Sequence, residues 1–186
     1  MTELELLAKQ VGTNERTLRR ALSQGTLRAE RPTPRKLEIS AAEKRYLRRS
    51  WRLLATLRAA LRTEQNVRFA LLFGSAARGE DSPASDVDLL VEMRDPSLAR
   101  IADLEAKLEG LIGRRVDVLT LDDARGSNQL LAEALTEGRV LVDREDRWPQ
   151  LRDEVEALRR RARDSTRRAR RRALEGIDRM LADRAG

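Results

Sequence analysis

Apolar residues recur at helical spacing near the start of the chain. Leu7, Ala8 and Val11 lie before Gly12, and Leu18, Ala21 and Leu22 lie after it, which predicts two short helices around a turn. Thr13 or Asn14 can cap the second helix. Thr26-Leu27-Arg28-Ala29-Glu30-Arg31 and Arg35-Lys36-Leu37-Glu38-Ile39 flank Pro32-Thr33-Pro34 and read as a hairpin with a stiff tip. Ser40 and Glu43 form a capping-box pattern for a long helix running to about Arg62, with Tyr46, Leu47, Trp51, Leu54, Leu57 and Leu61 as its apolar face.

The period changes at Val67. Val67 to Phe73 is a short apolar run with β-branched and aromatic residues, so it reads as a buried strand. Asp86-Val87-Asp88-Leu89-Leu90-Val91 and Arg115-Val116-Asp117-Val118-Leu119-Thr120-Leu121 read as two more strands, and Val140-Leu141-Val142 as a last short one. Helices are predicted over 97–112, on Leu98, Ile101, Leu104, Leu108 and Leu111, and over 128–137, where Gly138 ends the pattern. The alternation of strands and helices predicts an α+β fold. From Trp148 to Ala185 the pattern is helical, with Leu151, Val155, Leu158, Ala162, Ala169, Ala173, Ile177 and Met180 along one side and Gly176 interrupting.

Composition narrows the chemistry. Among 186 residues there is no histidine and no cysteine, which removes imidazole bases, His-ligated zinc, thiolate nucleophiles and disulfides. Aromatic residues make up 3%, too few for ring stacking on bases to be the main mode of recognition. No signal-like stretch and no run of membrane-spanning length is present, so the expectation is a cytoplasmic protein without a membrane partner.

The net charge of +7 conceals a segregation. Residues 1–62 carry 15 Lys+Arg against 6 Asp+Glu, residues 63–146 carry 10 against 18, and residues 147–186 carry 13 against 7. An acidic middle between two basic flanks points to a polyanionic partner at one or both ends. Arginine-rich composition without any ligand is the plainer explanation.

The acidic middle holds the candidate chemistry. Gly74-Ser75 follows the first strand, where glycine allows close approach of backbone to a phosphate, and the Ser75 hydroxyl and the following N–H groups can bind phosphate oxygens. Asp86 and Asp88, two residues apart, share one strand face and repel each other unless a cation lies between them. Hard oxygen donors of this kind suit Mg²⁺. A third carboxylate is expected from a neighbouring strand, and Asp117 stands in an otherwise apolar strand where aspartate is disfavoured. Each aspartate taken alone reads equally well as a turn or strand-end residue.

Gly74-Ser75-Ala76-Ala77-Arg78-Gly79, followed by Ser85-Asp86-Val87-Asp88-Leu89-Leu90-Val91 and then Val116-Asp117-Val118, resembles the polymerase-β-like nucleotidyltransferases. Within them it is similar to the minimal nucleotidyltransferases, many of which are antitoxins paired with HEPN toxins. The resemblance covers about Val67 to Asp143. It implies a nucleotidyltransferase fold, two Mg²⁺ held by Asp86, Asp88 and Asp117, and nucleotide phosphates held by Gly74 and Ser75. Arg78 either assists with the phosphates or forms a surface salt bridge. The activity implied is transfer of a nucleoside monophosphate from an NTP, with ATP favoured, to an acceptor hydroxyl on a partner toxin.

The basic N terminus resembles DNA-binding helix-turn-helix domains, with Ala8, Gly12 and Leu18 at the contact, turn and core positions. Asn14, Arg16, Thr17, Arg19 and Arg20 would face a major groove, and the hairpin would bring Arg28, Arg31 and Arg35 to DNA backbone or minor groove. A structural helical bundle explains the same pattern without DNA. The expected organisation is a winged helix-turn-helix over 1–40, a linking helix over 41–62, a minimal nucleotidyltransferase domain over 63–146 and a basic C-terminal helix over 147–186. For that last helix four roles compete: a homodimer contact, a DNA clamp, a dock for an acidic partner and a partly disordered tail. Two other functions compete with protein modification: a transcriptional regulator that only binds nucleotide or partner, and an aminoglycoside-type nucleotidyltransferase.

Overall fold

The computed structural model describes residues 2–33 and 36–184, and the side chains outside 31–37 and 173–184. Helix α1 (Glu3–Gln10) starts with a complete capping box: Thr2 Oγ1 accepts from the Glu5 N–H at 3.1 Å, and the Thr2 N–H donates to the Glu5 carboxylate at 2.6 Å. Asn14, rather than Thr13, caps α2 (Glu15–Ser23) by accepting from the Thr17 N–H at 2.8 Å. Leu4, Leu7, Ala8, Leu18 and Ala21 are buried between the two helices and the rest of the fold.

The hairpin pairs β1 (Glu30–Thr33) with β2 (Lys36–Glu38), antiparallel. Its first strand starts later than the pattern predicted, because Thr26 and Leu27 are buried ahead of it. The Thr26 hydroxyl donates to the Val140 carbonyl at 2.6 Å, and the Gly25 carbonyl accepts from the Val140 N–H at 3.2 Å. Those bonds dock the N-terminal segment on an edge strand of the main sheet and occupy backbone groups that an edge leaves open. Of the predicted tip Pro32-Thr33-Pro34, the first two residues belong to β1, and Pro34, like Arg35 after it, lies outside the described residues.

Helix α3 (Ala41–Thr63) begins at Ser40, whose hydroxyl accepts from the Glu43 N–H at 3.1 Å. The Glu43 carboxylate does not reach back to complete a box, because a buried arginine takes it. After α3 come β3 (Val67–Phe73), α4 (Gly74–Arg78), β4 (Val87–Met93), α5 (Leu98–Ile112), β5 (Val116–Thr120), α6 (Leu121–Ala124), α7 (Asn128–Glu137), β6 (Arg139–Asp143) and α8 (Arg147–Arg184). The four strands form one sheet ordered β5-β4-β3-β6, with β4 and β5 parallel and the other pairs antiparallel.

Both faces of this sheet are covered, which is why its strands read as nearly continuous apolar runs. On one face Val67, Ala70, Leu72, Val87, Leu89 and Val91 join a core shared with Leu54, Leu57 and Leu61 of α3 and Leu104 and Leu108 of α5. This core runs without a break into α1 and α2. On the other face Phe69, Leu71, Leu90 and Val140 meet Leu121, Leu131, Leu135, Leu151, Val155 and Leu158.

Two predicted apolar stripes are wider than the surfaces that receive them. In α5, Leu98 is 85% exposed and Leu111 54% exposed, so that helix buries only Leu104 and Leu108. In α8, Leu151, Val155 and Leu158 are buried, whereas Ala169 is exposed; Ala173, Ile177 and Met180 have side chains outside the described residues. Arg163 to Arg172 stand in solvent. Among the described residues no helix is long and apolar enough to cross a membrane.

Candidate active site

Strand β3 delivers Gly74 to the end of the sheet where β4 and β5 begin. Gly74 has φ +68°, and a Cβ there would run into Asp88 Oδ2, so both backbone conformation and space require glycine. Ser75 follows in the first turn of α4. The first-turn N–H groups of that helix have no intrahelical partners, and no side chain caps them. Asp88 therefore lies directly against Gly74, the residue before Ser75.

The register places the carboxylates. Asp88 lies directly opposite Asp117 on the parallel neighbour β5 and opposite Phe73 on β3, and Asp86 immediately precedes β4. Asp88 and Asp117 share the sheet face of Leu90 and Leu119, whereas Asp86, expected to share a strand face with Asp88, lies just before β4 begins. Burial raises the Asp88 carboxyl pKa, and the charges of Asp117 and Asp86 raise it further, while Arg78 opposes them. Asp88 thus feels both of the other carboxylates.

As a donor set the trio suits Mg²⁺: it offers oxygen ligands alone, and a cation would relieve the mutual repulsion. It is not preassembled, since among the described residues no three acidic side chains are gathered closely enough to hold an ion. Asp117 Oδ1 instead pairs with Arg115 Nε at 3.2 Å, in a bridge half open to solvent.

Arg78, at the end of α4, donates from Nε to Glu80 at 2.7 Å and from Nη1 to Glu137 at 2.6 Å, and these bonds raise its pKa. It therefore forms the salt bridges that were one of its two expected roles, while its charge still reaches Asp88.

Several supporting residues had no local signal in the sequence. Arg139 is 2% exposed, donates to the Ala77 carbonyl at 2.7 Å and to both Glu43 oxygens at 2.6 and 2.9 Å, and lies 3.4 Å over the Tyr46 ring. The Tyr46 hydroxyl donates to the Ala76 carbonyl at 3.2 Å, and burial pushes its pKa up to about 12. Helix α4 is thereby fastened to α3. Arg114 holds the loop before Asp86, donating to Asp81 at 2.7 Å and from Nε and Nη2 to the Ser85 carbonyl at 3.0 and 2.7 Å. These contacts join residues 29 to 96 positions apart, which a reading by local period does not reach.

A family model described as Polymerase beta, Nucleotidyltransferase matches residues 55–147, half of the chain. The chain belongs to this family. The matched residues include every member of the candidate site and the last nine residues of α3. The chain is 47% identical over 60 residues to the protein adenylyltransferase MntA of Thermococcus cleftensis, covering 32% of this chain and 61% of that protein. A relative from Methanocaldococcus jannaschii is 43% identical over 58 residues, 31% of this chain and 62% of that one. The chain thus spans about three fifths of the length of the curated relatives it matches.

Among solved structures, a toxin-antitoxin crystallised with AMP-PNP superposes with a TM-score of 0.55 at 20% identity, over 65% of this chain and 98% of that one. The toxin-antitoxin MntA-HepT gives 0.50 at 18% identity, over 65% and 96%. At these identities the likeness is one of fold.

The residues expected to contact DNA are not all in one place. Arg16, Thr17 and Arg20 are exposed on α2. Asn14 is exposed too, but its side-chain oxygen is engaged as the cap, and Arg19 is bonded to Glu15 through Nε at 2.9 Å. Arg28 turns toward α3 and α7, where its Nη2 donates to the Glu137 carbonyl and its backbone N–H to Glu43 at 3.1 Å. Burial and the Arg139 charge lower its pKa. The Arg31 side chain and all of Arg35 lie outside the described residues.

Proposed function

We propose that this protein is a Mg²⁺-dependent nucleotidyltransferase that moves AMP from ATP to a hydroxyl on a partner protein, a toxin of the HEPN type. In this reading it works in the cytoplasm, and residues 1–40 form a winged helix-turn-helix that binds duplex DNA for autoregulation. The observation that carries the enzymatic part is the in-register pair Asp88 and Asp117 beside Gly74-Ser75, with Asp86 one step before the strand. The choice of a protein acceptor rests on the similarity to a protein adenylyltransferase, and the choice of partner on the fold shared with toxin-antitoxin structures.

In the reaction the acceptor hydroxyl oxygen bonds to the α-phosphorus, and the bond from that phosphorus to the bridging oxygen breaks, releasing pyrophosphate. The Ser75 hydroxyl and the N–H groups that open α4 bind the phosphate chain, with Gly74 allowing the backbone to approach. Asp86, Asp88 and Asp117 would hold Mg²⁺, which neutralises charge on the phosphates and lowers the pKa of a coordinated hydroxyl. With no histidine in the chain, a carboxylate of this trio is the base available for the hydroxyl proton. Arg139 and Arg114 position the site, one through α4 and the other through the Ser85 carbonyl.

The Asp117–Arg115 bridge favours a second reading, in which the domain binds nucleotide without turning it over and the protein acts only as a regulator. Pyrophosphate release from ATP with the purified partner separates the two: release that depends on the partner supports transfer, and nucleotide binding without release supports the regulator.

A further inference from the structure

Arg58 is a buried cation without a counter-charge. Its side chain extends from α3 beneath α2 and is 5% exposed. Nη1 donates to Thr26 Oγ1 and Nη2 to Gln24 Oε1, both at 2.5 Å, so its hydrogen bonds go to neutral groups. Among the described residues no carboxylate pairs with Arg58, nor with Arg16, Arg20 or Arg62. This distinguishes Arg58 from Arg139, the other deeply buried arginine, which has Glu43. Burial lowers the Arg58 pKa to about 10, and the positive charges of Arg62 and Arg20 add to that effect, so the guanidinium stays charged at neutral pH while repelled by its neighbours.

A cavity opens over this cluster. It has a volume of about 250 Å³ and is lined by Arg16, Thr17 and Arg20 of α2 and by Trp51, Arg58 and Arg62 of α3. Pockets for drug-sized ligands run from about 300 to 1,000 Å³, so this one takes a small anionic group rather than a whole nucleotide. Four guanidiniums carry donors suited to tetrahedral oxyanions and have no carboxylate to satisfy them. A buried charge normally has a partner, and among the described residues Arg58 has no carboxylate.

We propose that the cavity between α2 and α3 is a binding site for a phosphate group, with Arg58 as its floor and Arg16, Arg20 and Arg62 as its walls. The phosphate belongs either to a nucleic-acid backbone or to a small phosphorylated molecule. The site is separate from the Gly74-Ser75 turn, and the inference does not rest on nucleotidyl transfer.

The test uses the full chain and inorganic phosphate against chloride at matched ionic strength, read by the fluorescence of Trp51, with Trp51→Phe identifying the signal. Wild type should respond saturably, and Arg20→Ala and Arg62→Ala should each weaken the apparent affinity by about tenfold, the loss of one good charge-assisted contact. Both positions are exposed, so these variants fold even if Arg58→Met does not. In parallel, binding to duplex DNA is measured across salt concentrations. A backbone phosphate as the occupant predicts that each variant lowers the slope of log affinity against log salt by about one. A free phosphate as the occupant predicts an unchanged slope together with the lost fluorescence response. Either pattern supports the site. A wild-type protein without a saturable response, or variants that respond at the same phosphate concentration as wild type, would overturn it, whatever the outcome of a transfer assay.

Discussion

Replacing Asp88 by Asn removes one negative charge from the carboxylate trio and leaves the side-chain volume unchanged. In-register neighbours on adjacent strands are about 4.8 Å apart. Two unit charges at about 5 Å repel by about 1 kcal/mol at the dielectric constant of water and about 3 kcal/mol at an effective value near 20. Asp117 is 49% exposed, which puts the pair toward the lower figure. Asp88→Asn should therefore stabilise the metal-free protein at neutral pH by about 1 kcal/mol, or about 2–4 °C in Tm for a chain of this size.

The pH dependence follows from the direction of the Asp88 shift. Its folded pKa lies above its unfolded value, so the folded state binds the proton more tightly, and wild-type stability falls as pH rises from the ordinary aspartate range through the folded value. The advantage of Asn should be absent at acid pH, where Asp88 is protonated, and complete at neutral pH. Urea unfolding in chelator across that range measures it. Mg²⁺ should then reverse the order, because an ion that binds only the folded wild type stabilises it by mass action. An Asn variant less stable than wild type at neutral pH in chelator, or an advantage that grows toward acid pH, would refute the reasoning.

Gly74→Ala forces a left-handed backbone on alanine and a Cβ into Asp88. It should cost about 1–3 kcal/mol and remove ATP binding, read by thermal unfolding and nucleotide titration. Glu43→Ala strands Arg139 as a buried unpaired charge and should cost about 3–5 kcal/mol in urea unfolding, most of it recovered in Glu43→Leu,Arg139→Met. Truncation after Arg163 removes only solvent-facing α8 among the described residues and should leave Tm and nucleotide binding unchanged. Truncation after Asp146 also removes Leu151, Val155 and Leu158, each worth about 1.5–3 kcal/mol of burial, and should give a protein that does not fold.

What the sequence made legible were the features set by local period. The apolar runs that carry Asp88 and Asp117 are strands β4 and β5, and the helix read over 128–137 and ended by Gly138 is α7. Apolar spacing could not say how much surface would be available to receive it, so Leu98 and Leu111 looked like core and are exposed. The fastening of α4 by Arg139, Glu43 and Tyr46 depends on long-range contacts between α3 and β6, and arginine beside a strand reads locally as a solvated end residue. Arg58 was hidden for a related reason: it stood as one basic residue in a basic helix, and only the packing of α2 over it makes it a buried cation. The pairing of Asp117 with Arg115 depends on a side-chain rotamer, which no pattern encodes.

The central claim is that Asp86, Asp88 and Asp117 with Gly74-Ser75 form a nucleotidyl-transfer site. The most direct measurement incubates purified protein and its partner with Mg²⁺ and ATP labelled at the α-phosphate, beside Asp86→Asn,Asp88→Asn protein shown to be folded by its unfolding transition. The account predicts that label moves onto the partner with wild type, with pyrophosphate released in equal amount, and that the double variant transfers none. Label transferred equally by both proteins would contradict it.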